Sequence, residues 1–89
     1  MVVEWDEGKA ETNLRKHGIK FADAVDVLGD EFAITLPDKH PTESRRITIG
    51  TSLAGRILVV VYVWRGGEFR LISARPATPR ERRKYHENR

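Results

Sequence analysis

From Ile57 to Trp64 the chain reads Ile-Leu-Val-Val-Val-Tyr-Val-Trp, eight residues without a charge. A strand sends alternate side chains to opposite faces, so a run that is apolar on both parities needs cover on both sides. Its β-branched and aromatic residues favour a strand. Eight residues fall well short of the roughly twenty that a membrane-spanning helix requires. Arg56 to Trp64 is therefore read as the central strand of a sheet. Gly66-Gly67 follows as a two-residue hairpin signal, and Glu68 to Arg75 is the returning strand. Upstream, Ser52 to Gly55 makes a turn and Arg45 to Gly50 alternates like a half-buried strand. Phe32 to Leu36, closed by Pro37, is a further strand, and Pro37 to Ser44 is a polar loop.

The flanks carry a different period. Val2 to Trp5 is a short strand or an extended lead-in. Asp6 then caps a helix that runs through about His17, because its carboxylate can accept from free N–H groups of the first turn. Ala10, Leu14 and His17 share one face of that helix. Arg15, Lys16 and His17 suit its negative end, and Gly18 is the left-handed stop. Phe21, Ala24, Val25 and Leu28 form the apolar stripe of a second helix ending at Gly29-Asp30. At the other end, Thr78-Pro79-Arg80-Glu81 combines an N-cap, a proline at the first helical position and a capping-box glutamate. The helix it opens continues to about Glu87. The order is helix, helix, three or four antiparallel strands, helix. That order predicts an α+β domain with helices packed on the sheet, a single domain over residues 1–89.

Cysteine is absent, which excludes a disulfide framework, thiolate metal sites and thiol nucleophiles. The N-terminus has neither the basic nor the apolar region of a signal peptide, so a cytoplasmic location is the expectation. The net charge of +3 hides a division. Residues 1–44 hold five Lys/Arg and ten Asp/Glu, a net −5, whereas residues 45–89 hold eleven and three, a net +8. Such asymmetry points to a nucleic acid or another anionic partner.

The candidate functional residues are mostly arginines. Strict alternation along Glu68–Arg75 puts Arg70, Ile72 and Ala74 on one face and Phe69, Leu71, Ser73 and Arg75 on the other. Arg70 and Arg75 are then solvated or paired surface residues, or permanently charged phosphate binders. Arg45 and Arg46 are adjacent, so only one of them shares a face with Arg70, and register decides which. The last helix carries Arg80, Arg82, Arg83, Lys84 and Arg89. Positions 82–84 spread over about 200° of its circumference, as a solvated helix or an RNA-binding one would. Tyr85 either anchors that helix or offers a phenol to a basic site. His17 is a possible proton shuttle, or a hydrogen-bond donor to helix-end carbonyls. His40 and His86 are weaker candidates. No histidine pair has metal-ligand spacing within a helix, and phosphate loops and nucleophile elbows are absent, so neither cofactor nor metal is expected. The residues alone describe a domain that binds an anionic polymer and could cleave it, since RNA supplies its own 2′-hydroxyl nucleophile.

Three blocks resemble the BrnT-type toxins. The first is Trp5-Asp6 with Lys9, Asn13 and Lys16-His17-Gly18, followed by Phe21 and Ala24. The second is Arg46 with Ile49-Gly50. The third is Arg70-Leu-Ile-Ser-Ala-Arg75, then Ala77-Thr78, Glu81-Arg82 and Tyr85. The resemblance implies a RelE-like fold and a bacterial ribonuclease toxin of a type II toxin–antitoxin system that arrests translation. It implies metal-independent RNA cleavage and a BrnA-type antitoxin with a ribbon–helix–helix DNA-binding part. The pair would form a two-plus-two complex that reaches operator DNA through the antitoxin. The site residues it implies are Arg46, Arg70, Arg75, Arg82 and Tyr85, with Lys16 and His17 from the first block. Together with the basic residues read above, the expected assignment is Arg46, Arg70, Arg75, His17 and Tyr85 for catalysis, with Lys16, Arg45, Arg82 and Arg83 contacting RNA. Two other readings stand beside it: a non-catalytic subunit that complexes a DNA-binding antitoxin and co-represses transcription, and a general nucleic-acid-binding module.

Overall fold

The structure, a computed structural model, describes residues 2–40 and 42–88. Arg89, grouped above with the basic residues of the last helix, lies outside the described residues, as do Met1 and Pro41 of the polar loop. The elements are β1 (Val2–Glu4), α1 (Glu7–His17), α2 (Phe21–Leu28), β2 (Ile34–Asp38), β3 (Arg45–Thr51), β4 (Ile57–Arg65), β5 (Glu68–Pro76) and α3 (Pro79–Glu87). The strands form one five-stranded sheet in the order β1-β5-β4-β3-β2. The apolar run is the middle strand, as its two-sided pattern requires.

The ends of the helices follow their local chemistry. Asp6 accepts from the Lys9 N–H at 2.9 Å, and Gly18 ends α1 at φ 69° with its N–H on the Leu14 carbonyl. Thr78 and Glu81 complete the reciprocal capping box of α3. Gly66 and Gly67 both take positive φ, 58° and 88°, as a two-residue turn between twisted strands demands.

Each sheet face has its own layer. On one, α1 and α2 cover Leu58, Val60, Tyr62, Leu71 and Ala74, with Phe21, Ala24 and Val27 supplying the helical side. Gly50 lets α2 approach β3: a Cβ there would lie 3.0 Å from Val27 Cγ1 and 3.2 Å from Ala33 Cβ. On the other face, Tyr85 of α3 and Ala77, just before that helix, pack on Ile49 and Val59. No helix among the described residues is long and apolar enough to cross a membrane.

Four sequence expectations are corrected. The sheet has five strands, not three or four antiparallel ones: Val2–Glu4, read as a short strand or an extended lead-in, is a strand and pairs with β5 in parallel, Val3 opposite Phe69. The strand expected over Phe32–Leu36 lies two residues later, because Asp30 holds the preceding turn: its Oδ1 accepts from the Phe32 N–H at 3.0 Å. Pro37 and Asp38 therefore belong to β2 rather than to the loop, and an outermost strand tolerates a proline. The helical face of α1 is centred elsewhere: Leu14 is 44% exposed while Asn13 is only 4% exposed.

The fourth correction concerns β5. Val61 pairs with Ser73 and Tyr62 with Leu71, leaving Ile72 as the extra residue of a bulge. A bulge reverses the alternation beyond it. Ala74 thus joins Leu71 in the α1/α2 core, and Arg75 turns to the same face as Arg70, not to the opposite one. Asn13 clasps the strand just past the bulge. Its Oδ1 accepts from the Ala74 N–H at 3.0 Å, and its Nδ2 donates to the Ala74 carbonyl at 2.8 Å and the Ile19 carbonyl at 3.0 Å. This side-chain amide stands where a neighbouring strand would, because β1 reaches only as far as Arg70.

Candidate RNA-binding and cleavage site

Cross-strand pairing determines the arginine geometry. Glu4 pairs with Arg70, Arg70 with Val63, Val63 with Arg45, and Arg45 with Asp38. These five residues form one row across the sheet, on the face that α3 covers only farther along. Arg45 and Arg70 flank Val63, with their Cα atoms two strand spacings apart, about 10 Å. That separation lets two guanidinium groups converge on one phosphate from either side. Around them opens a cleft of about 350 Å³ lined by Glu4, Lys9, Glu43, Arg45, Val63, Arg65, Glu68, Arg70 and Ile72.

Acids temper the cleft's positive charge. Glu43 Oε2 accepts from Arg45 Nε at 3.1 Å, and Glu4 Oε1 accepts from Arg70 Nη1 at 3.4 Å. The bond from Arg45 holds the Glu43 carboxyl below its usual range, with the charges of Arg45 and Lys9 acting in the same sense. His40 organises the approach to Glu43: its Nδ1 accepts from the backbone N–H groups of Thr42 and Glu43 at 3.3 and 3.2 Å.

A second cleft, about 500 Å³, continues past the bulge and contains Lys9, Thr12, Asn13, Lys16, His17, Ile72 and Ser73. Lys9 and Ile72 border both clefts. Lys16 and His17 therefore extend the same basic surface, with Ile72 and Ser73 between them and the arginine row.

The remaining sequence candidates sit apart. Arg46 points to the α1/α2 face, where its guanidinium carbon lies 4.9 Å from the centroid of the Trp64 ring. Of the adjacent pair, Arg45 is the one that shares the face of Arg70. Arg75 shares that face but is held by a carboxylate, Nη1 and Nη2 donating to Glu81 at 2.7 and 2.9 Å. This fork and the capping box bring the Glu81 carboxyl from 4.5 to about 2 and raise Arg75 further. Tyr85 is 2% exposed, its ring in the α3 core and its hydroxyl donating to Asp30 Oδ2 at 2.6 Å. It anchors α3. Arg82 donates to the Ala77 carbonyl at 2.8 Å, and Arg83 lies with Arg80, Lys84 and Glu87 on the outer side of α3. Among the described residues no three acids or histidines are grouped to hold a metal ion. Sequence reasoning missed Lys9, Glu43 and Arg65 in the cleft. They come together only through pairing and the β1–α1 crossing, although Lys9 did belong to the first matching block.

The chain is thus a small α+β domain whose sheet leaves an arginine-bearing half of one face uncovered. Its family is shown by comparison. A family model described as the ribonuclease toxin BrnT of type II toxin–antitoxin systems matches residues 5–81, and this chain belongs to that family. Among solved structures, the chain resembles the Brucella abortus ribonuclease toxin BrnT at 33% sequence identity and a TM-score of 0.71. That match covers 88% of this chain and 97% of the other. Comparison with curated proteins gives no significant match.

Proposed function

We propose that this protein cleaves RNA on the uncovered half of its sheet face, without a metal ion, and so inhibits translation until an antitoxin occupies it. The observation that carries this reading is the row in which Arg45 and Arg70 flank Val63. RNA brings its nucleophile with it. The 2′-oxygen attacks the adjacent phosphorus, a 2′,3′-cyclic phosphate forms, and the bond to the 5′-oxygen breaks. The phosphate gains negative charge on the way, and fixed guanidinium donors around it lower that barrier. Lys9, Lys16 and His17 carry the chain along the second cleft. Arg46 acts from the far side of the sheet by holding Trp64, and Arg75, Arg82 and Tyr85 act by fixing α3. Arg83 adds long-range attraction.

The partner proposed is a BrnA-type antitoxin of the ribbon–helix–helix class, in a two-plus-two complex that binds operator DNA through the antitoxin. The protein would work in the cytoplasm. A groove lined by Trp5, Glu7, Ala10, Glu11 and Leu14 supports a protein-binding role as well, and with it the alternative of a purely co-repressing subunit.

The deciding experiment is incubation of purified protein with RNA, with and without a chelator, followed by identification of the product ends. Cyclic phosphate ends, undiminished by the chelator and lost in Arg45→Ala/Arg70→Ala, are the expected outcome. Intact RNA with a stable antitoxin complex would favour the co-repressing subunit instead.

A further inference from the structure

Resting on the ribonuclease reading, we propose that Glu43 is the general base that takes the 2′-hydroxyl proton. Glu4, Glu43 and Glu68 all line the cleft, and their placements differ. Glu68 sits at the hairpin, opposite Arg65. Glu4 meets Arg70 through one long contact of 3.4 Å between two well-exposed side chains. Glu43 spends one oxygen on Arg45 Nε, at 3.1 Å. No hydrogen bond to Oε1 of Glu43 or to either Nη of Arg45 occurs among the described residues. The guanidinium can thus grip a phosphate through its two Nη groups while Glu43, fastened to its Nε edge, faces the ribose attached to that phosphate.

The surroundings keep this carboxylate ionised and aimed. Arg45 on β3 and Lys9 from α1 favour the charged form. Arg70 and Arg65 stand across the cleft, and Glu4 and Glu68 are the like charges there. Two backbone bonds to the His40 ring shape the turn that delivers Glu43. In the step itself, one Glu43 oxygen receives the 2′-hydroxyl proton as the 2′-oxygen bonds to phosphorus. The P–O5′ bond breaks, and the departing 5′-oxygen takes a proton from water in the open cleft. Glu43 then returns its proton to solvent.

The test separates this role from simple charge repulsion. Glu43→Gln keeps an oxygen to accept from Arg45 Nε but cannot act as a base. A carboxylate that merely repels RNA would, when neutralised, give tighter binding and equal or faster cleavage. A general base is worth about 10²–10⁴-fold in rate. We expect single-turnover cleavage to fall by at least about 100-fold in Glu43→Gln. Affinity for a 2′-deoxy analogue, which cannot react, should be unchanged or tighter. Glu43→Asp should recover part of the rate, and Glu31→Gln, at an exposed carboxylate outside both clefts, should cleave within a few-fold of wild type. Cleavage by Glu43→Gln within a few-fold of an active wild type overturns the assignment of Glu43 alone. A wild type that cleaves no RNA overturns the ribonuclease reading, and the base with it. Glu43 lies at the surface, so circular dichroism of the variants should match wild type and keep every comparison interpretable.

Discussion

The side-chain clasp on β5 makes Asn13→Ala the most informative stability experiment. Asn13 is 4% exposed and satisfies three backbone groups: the N–H and C=O of Ala74 and the C=O of Ile19. Alanine removes all three partners and keeps the helix, since alanine is the best helix former. Each net hydrogen bond contributes about 1 kcal/mol, and a buried group left without a partner costs about 1–3 kcal/mol. Water from the neighbouring cleft, which Asn13 itself lines, can reach part of the gap, so the lower end applies. The expected loss is about 3 kcal/mol, a large share of the roughly 5–15 kcal/mol that a domain possesses. At about 4–8 °C per kcal/mol for a chain of this size, Tm should drop by roughly 12–24 °C. Thermal melts by circular dichroism measure the loss, and hydrogen exchange at the Ala74 amide localises it. The reasoning fails if the variant loses under about 1 kcal/mol or if that amide exchanges as slowly as in wild type. Either result would mean that the β4–β5 ladder holds the bulged strand without help from α1.

Three further outcomes are expected. Tyr85→Phe keeps the buried ring and removes the hydroxyl that donates to Asp30, so urea denaturation should record a loss of about 1–2 kcal/mol with RNA cleavage retained; a stable but inactive variant would make the phenol a participant in the chemistry. Glu81 has a folded-state pKa of about 2 against 4.5 unpaired, so its contribution is complete above about pH 4.5 and disappears as pH falls towards 2. At a rim site open to water the contribution is about 1–2 kcal/mol, and Glu81→Gln should flatten the stability profile across that window; an unchanged profile would refute the pairing with Arg75. Arg46→Ala loses a cation–π contact worth about 0.5–1 kcal/mol and should leave cleavage within a few-fold of wild type, whereas Arg70→Ala should abolish it; equal losses in both would contradict the two-faced arrangement.

What the sequence disclosed was local. The Asp6 cap, the Gly18 stop, the Thr78–Glu81 box and the Gly66-Gly67 turn each depend on a few neighbouring residues. Their positions in the structure agree with the sequence reading. The central strand was legible because burial on two faces leaves a pattern on both parities. The arrangement of the site was not legible in the same way. Whether Arg45 or Arg46 faces Arg70 depends on β3–β4 register, which no short window encodes. The face of Arg75 depends on a bulge that exists only when Val61 and Tyr62 meet Ser73 and Leu71. Lys9 and Glu43 lie far apart in the chain and meet because α1 crosses the end of β1. Asn13 was visible as part of a matching block, and its physical role emerges only when Ala74 is beside it.

The sheet order has a consequence for synthesis. β5 is the penultimate element made, yet it lies between β1 and β4. A chain that stops before Glu68 has no partner for β1, no strand for Asn13 to clasp and no Arg70. The arginine row draws on residues 4, 45, 63 and 70, so it comes into being late and all at once. A chain ended before Glu68 therefore lacks the row altogether instead of carrying a weakened version of it.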